Sequence, residues 1–201
     1  MVIKRLKAVC FFLLLQGVIW VSAQSILVGV RDNQYARIGY TCKHWSGILE
    51  HSVFTSKFKN QVLNGYVGYQ SQTGQLEYRG TLYGGFQYNK LYHSYGGMCE
   101  GKYLLTSWCY VEGGIRPHYD SSYGYETAYL GGIGFKLHRE ICLTTSYTNY
   151  PEYRLCEERI TGGLLIKVRN LKVKPELSIP VNSKMENLRF LLSFDYELKL
   201  K

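Results

Sequence analysis

From residue 188 to the C-terminus the chain alternates between two chemistries. Leu188, Phe190, Leu192, Phe194, Tyr196, Leu198 and Leu200 hold one parity; Arg189, Ser193, Asp195, Glu197 and Lys199 hold the other, with Leu191 out of step. Successive side chains of a strand point to opposite faces, so this is a strand with one apolar and one charged side. The scheme recurs upstream. In 158–168, Ile160, Leu164, Ile166 and Val168 oppose Arg159, Thr161 and Lys167. In 171–181, Leu171, Val173, Leu177, Ile179 and Val181 oppose Lys172, Lys174, Glu176 and Ser178. In 125–137, Tyr125, Tyr129, Ile133, Phe135 and Leu137 oppose Glu126, Ala128 and Lys136. Pro175 falls on the apolar side of its segment, where its missing N–H predicts a bulge or a strand end.

Weaker segments of the same kind cover 25–31, 34–42, 48–56, 61–71, 76–88, 94–104, 107–118 and 141–149, which brings the count to about twelve strands (range eight to fourteen). No stretch beyond residue 24 holds an apolar 3.6-residue period for three turns. Composition agrees, with 19 tyrosines and 21 glycines but only 4 prolines in 201 residues; tyrosine favours strands. The fold class is all-β. The connectors alternate too. Short ones (43–47, 72–75, 104–106, 138–140, 169–170) interleave with a set that is mostly longer and richer in Tyr, Asn, Asp and Ser (31–33, 56–60, 88–94, 118–124, 150–157, 180–187).

The amino-terminal residues read as a secretory leader: basic Lys4, Arg5 and Lys7, an apolar run from Ala8 to Val21, then Val21-Ser22-Ala23 before Gln24. The run falls short of the roughly 20 residues that a spanning helix needs. The expected organisation is a cleaved signal peptide at 1–23 and one barrel domain at 24–201. N-terminal sequencing of protein recovered from membrane fractions should therefore start near Gln24; an intact Met1 would contradict this.

Alternating strands also build soluble sandwiches and lipocalin-like barrels, with the apolar side turned inward. Three features favour the inverse arrangement, apolar side out. Tyrosines collect near strand ends (Tyr88, Tyr92, Tyr95; Tyr119, Tyr123, Tyr125; Tyr147, Tyr150, Tyr153), as in an interfacial aromatic girdle. Hairpin-linked strands of near-uniform length suit an up-and-down meander, and closure satisfies every backbone hydrogen bond in lipid. The last strand carries the alternating Phe194-Asp195-Tyr196-Glu197-Leu198. In these respects the chain resembles the outer-membrane β-barrel proteins of bacteria with two membranes, a porin-like class with no specific family assigned. It departs in ending Leu198-Lys199-Leu200-Lys201 instead of on an aromatic residue. The resemblance implies an antiparallel up-and-down transmembrane β-barrel in the outer membrane, with outer-membrane lipid and the barrel-assembly machinery as partners, and small polar solutes or another envelope protein as further candidates.

In such a barrel the charged side lines the lumen. The expected lining includes Arg37, Glu77, Arg79, Glu100, Lys102, Glu112, Arg116, Glu126, Lys136, Arg159, Lys167 and Arg189, acids and bases interleaved. Two outcomes stay open: a narrow channel for passive passage of small polar or ionic solutes, or an interior plugged by ion pairs. A non-conducting barrel would act in a structural, adhesive or partner-binding role through extracellular loops, where Tyr92, His93, His118, Tyr119, Asp120 and Tyr153 are expected. The one group with hydrolase-type residues is His93, His118, Asp120 and Ser121, but sequence adjacency does not bring a base to a nucleophile, and an enzyme is not expected.

No cofactor or metal is expected: His44, His51 and His138 are isolated, and Cys42, Cys99, Cys109, Cys142 and Cys156 form no CxxC pair. No basic block or nucleic-acid motif occurs, and three of the chain's positive charges lie in the leader. The glycine pairs 84–85, 96–97, 113–114, 131–132 and 162–163 predict bends, bulges or places where a tyrosine of an adjacent strand packs on the backbone. A turn near Leu104 would put Cys99 opposite Cys109 on the apolar side.

Overall fold

The computed structural model describes residues 24–52, 61–88, 92–149, 158–181 and 188–200. Twelve antiparallel strands run β1 (Ser25–Arg31), β2 (Tyr35–Cys42), β3 (Trp45–Ser52), β4 (Val62–Thr73), β5 (Leu76–Gln87), β6 (His93–Leu104), β7 (Cys109–Asp120), β8 (Gly124–Lys136), β9 (Ile141–Thr148), β10 (Arg159–Val168), β11 (Leu171–Pro180) and β12 (Arg189–Lys199). Each pairs with its sequence neighbours, and β1 pairs with β12, so the sheet closes into an up-and-down barrel without a free edge. The closing register is Ser25 to Lys199 and Ile26 to Leu198. The last strand thus stays in register past its final aromatic residue, through Leu198 and Lys199 of the ending that departs from the usual one.

The barrel is turned inside out relative to a soluble one. On its outer surface Leu82 is 71% exposed, Phe190 62% and Tyr125 78%, whereas inward-facing Glu50 is 3% exposed, Arg159 5% and Asp120 2%. Leu191, which breaks the terminal alternation, follows its parity and points inward, buried. Gln24 and Leu200, the termini of the described barrel, and the turns at 43–44, 74–75, 105–108, 137–140 and 169–170 lie at one rim. Three of these turns have two residues, with Lys43, Gly74 and Arg169 at positive φ, as the primed hairpin turns require.

Neither proline in mid-strand makes a bulge. Pro117 and Pro175 both face outward; the ladder skips the adjacent pairs, and the register is the same on either side. The reason is local: each removes one donor without adding a residue to its strand. The glycine pairs likewise leave the register unbroken. Gly96 lies beneath the Tyr83 hydroxyl of the neighbouring strand, as a tyrosine cover predicts, but Gly131 and Gly162 face open surface.

The turn after β6 differs from expectation. Residues 105–108 form a wider loop in which Thr106 Oγ1 accepts the N–H groups of Trp108 (3.3 Å) and Cys109 (3.0 Å). This moves the turn centre toward the C-terminus. Cys99 stands opposite Ile115, Cys109 lies beside Leu105, and the two cysteines are not cross-strand partners. The strand count survives this error because the displaced turn still joins the same two strands.

Candidate functional site

The lumen is where this fold concentrates chemistry, because every strand sends alternate side chains there. The register puts Arg37, Glu77, Arg79, Glu100, Lys102, Glu112, Arg116, Glu126, Lys136, Arg159, Lys167 and Arg189 on the inward parity. Lys136 and Lys167 are exposed and sit at the rim that carries the termini.

A charge cluster spans the seam where the barrel closes. Arg37 on β2 donates from Nε to Asp195 Oδ1 of β12 (2.6 Å), and its Nη2 contacts Oδ2. It reaches across β1 at Gly29, which is in register with both residues and where a Cβ would collide with Asp195 Oδ1 and Phe194 O. Arg37 also lies 3.8 Å from Glu50 of β3. Arg31 forks onto Glu50 through Nε (2.9 Å) and Nη2 (2.8 Å), and Asp32 lies 3.1 Å from Arg31 Nη1. Such two-pronged guanidinium–carboxylate bonds are among the stronger polar contacts.

Elsewhere, Glu77 pairs with Lys102 (3.4 Å), Lys172 with Glu197 (3.5 Å) and Lys174 with Glu176 (2.9 Å). Arg159 binds Ser178 through Oγ (2.8 Å) and the carbonyl (2.9 Å). Each described ion pair links residues on the same strand, on neighbouring strands, on strands one apart, or at a strand end and its turn. The pairs therefore run along the wall. An aromatic shelf stands on the inward face in the half of the barrel away from the termini. Tyr66 stacks on Tyr83 at 5.9 Å, and Arg116 lies over the Tyr83 ring (4.3 Å) and donates to its hydroxyl (2.9 Å).

The expected loop residues are placed differently. His93, His118, Tyr119 and Asp120 belong to strands, because β6 begins at His93 and β7 runs to Asp120. Polar residues at a strand end read as loop in a sequence, yet a polar residue facing a lumen is in its proper place. His118 and Asp120 are inward and buried. Tyr92 precedes β6 and is also buried, not displayed in a girdle. Tyr119 faces outward in a cluster with Tyr95 (5.1 Å) and Tyr125 (4.8 Å). Tyr153, like Tyr150, Cys156 and the leader, lies outside the described residues.

The described contacts of the hydrolase-type residues lead to different partners. Asp120 Oδ1 accepts the N–H groups of Ser122 and Tyr123 in a local turn; Ser121 Oγ accepts the N–H of His93, while His118 lies across from Gly96 and Glu126. Several lumen residues escaped the sequence reading. Arg31 stands at the shared boundary of the segment 25–31 and the connector 31–33 and is missing from the expected lining, although it shares parity with Ser25 and Gly29. Tyr66, Tyr83 and Tyr110 face inward, where period-two alternation gives no signal because tyrosines occupy both parities.

No family model and no curated relative matches the chain by sequence. By structure it is similar to the KdgM porin in complex with disordered oligogalacturonate, with a TM-score of 0.63 at 11% identity over 86% of this chain and 96% of that one. The KdgM porin alone aligns with a TM-score of 0.62 at 10% identity over the same shares. The NanC porin aligns with a TM-score of 0.48 at 13% identity, over 88% of this chain and 98% of that one. Inverted polarity, closure by β1 and β12, and superposition on a porin over 86% of the chain agree: this chain has the fold of a small porin-like outer-membrane β-barrel protein.

Proposed function

We propose that the chain is a narrow passive channel for small polar or ionic solutes in the outer membrane. The observation that carries this reading is the direction of the ion pairs. Charges that neutralised one another across the barrel would plug it, whereas pairs that run along the wall leave the axis to water. Twelve strands also enclose more space than the eight whose interior is just filled by side chains.

Bases outnumber acids among the outermost inward side chains of the rim that carries the termini, Lys136, Lys167, Lys172 and Lys199 against Glu77, while Lys102, Lys174, Glu112, Glu176, Asp195 and Glu197 lie just inside. A mouth of one sign raises the local concentration of counter-ions, so anions should pass more readily than cations of similar size. The likeness to a porin holding oligogalacturonate makes that acidic oligosaccharide a reasoned test solute. Liposomes containing the purified barrel should swell in isotonic solutions of small solutes, more slowly as solute size grows. Replacing the shelf arginine, Arg116→Ser, should speed the swelling. Proteoliposomes that swell no faster than empty ones would contradict the channel.

A further inference from the structure

Two consecutive inward rows cross β4 to β8. The row nearer the termini reads Gln72, Glu77, Lys102, Glu112 and Gly132; the next reads Gln70, Arg79, Glu100, Gly114 and Leu130. A cavity of about 160 Å³ opens over them, lined by Gln70, Glu77, Arg79, Glu100, Lys102 and Glu112 among others. That is far above the roughly 10–15 Å³ needed for one water.

Cross-strand neighbours here alternate in sign, an arrangement that normally pairs charges off. Among the described residues only one such pair forms. Lys102 turns to Glu77 and rests its ammonium 4.2 Å from the centre of the Tyr110 ring. Glu112, opposite Lys102 on the other side, lies over Gly132, where an added Cβ would sit 2.8 Å from its Oε1. Glu100 stands opposite Arg79 and feels its charge and that of Arg116, yet among the described residues no ion pair within 4 Å joins them. The cavity thus presents one guanidinium and two carboxylates outside any described ion pair, within a barrel wall where charge interactions are stronger than in bulk water.

We infer that this cavity on β5–β7 binds small zwitterions, with an ammonium group between Glu100 and Glu112 and a carboxylate on Arg79. Free amino acids and short peptides have this chemistry. A guanidinium takes a carboxylate through two parallel hydrogen bonds, and an ammonium has three donors to share between two carboxylates. Glu77 and Lys102 satisfy each other and frame the site. The inference deepens the channel reading, because an open lumen is what lets a solute reach the cavity in a membrane, although binding itself needs no conduction.

Glycylglycine is the probe, titrated by calorimetry into folded, detergent-solubilised protein at about 0.1 M salt, so that screening stays modest. Saturable binding is expected. Acetate and ethylamine, each carrying one of the two charges, should bind about tenfold more weakly or worse. Glu100→Gln/Glu112→Gln and Arg79→Gln should each weaken glycylglycine by a similar factor, with folding checked by heat-modifiable gel mobility. Glu112→Gln alone serves if the double variant fails to fold. Absence of binding, acetate binding as tightly as glycylglycine, or folded variants that bind like the parent would overturn the site. A barrel that binds glycylglycine but swells no liposomes keeps the site and loses the channel. One that swells liposomes without binding loses the site alone.

Discussion

Ile133→Asp and Leu192→Asp should each sharply lower the yield of folded barrel, whereas Glu126→Gln and Lys136→Gln should leave it near the parent level. Ile133 faces outward between Val111 and Thr145, and Leu192 faces outward opposite Pro175. A carboxylate on either surface must enter hydrocarbon, at a cost of about 2 kcal/mol that depends on depth. Glu126 and Lys136 have the opposite parity on β8 and meet the lumen, where an amide keeps its hydrogen bonds. The check is the fraction of heat-modifiable protein in membrane fractions. Polar-face variants that proved the more damaging would mean that the apolar side is the core of a soluble fold.

The second large effect is expected at the closing seam. Arg37→Met leaves Asp195 without its guanidinium partner and reduces the charge around Glu50, which is 3% exposed. Stranding buried carboxylates in this way should cost about 3 kcal/mol, read from urea unfolding of the refolded barrel. Arg37→Met/Asp195→Leu should recover much of the loss, because the stranded charge goes with its partner. Gly29→Ala should resemble the single variant, since its Cβ would displace Asp195. A single variant as stable as the parent would show that the seam is held by its backbone ladder alone.

The seam also shows what was legible in advance. Period-two alternation states the parity of every side chain in a strand, and parity alone places Arg37, Glu50 and Asp195 on one face. Which residues on that face touch is a matter of register, and register depends on turns. The loop at 105–108 shows how easily a turn is misread: Thr106 caps it through two N–H groups, and the predicted cysteine pair dissolved when the turn centre moved. Strand ends failed for a different reason. His118 and Asp120 look like loop because soluble strands seldom finish on buried polar groups, whereas a strand with one face toward a polar lumen places such residues on its inner side. Arg31, at the boundary of strand and connector, falls outside the expected lining for the same reason. The inward tyrosines were out of reach because Tyr66 and Tyr69, on one strand, face opposite sides of the wall. The carboxylates Glu100 and Glu112 could be named from sequence, but that Lys102 chooses Glu77 over Glu112 is visible only in three dimensions.

The most direct test of the account is the conductance of purified, refolded protein in a planar bilayer. Ion pairs that follow the wall predict discrete, stable current steps in dilute potassium chloride, with a reversal potential displaced toward that of chloride by the basic mouth. Lys172→Gln/Lys174→Gln should reduce that displacement while the steps persist. A barrel that inserts, as judged by protease protection, yet carries no current above the bare bilayer would show that the lumen is closed and the channel reading wrong.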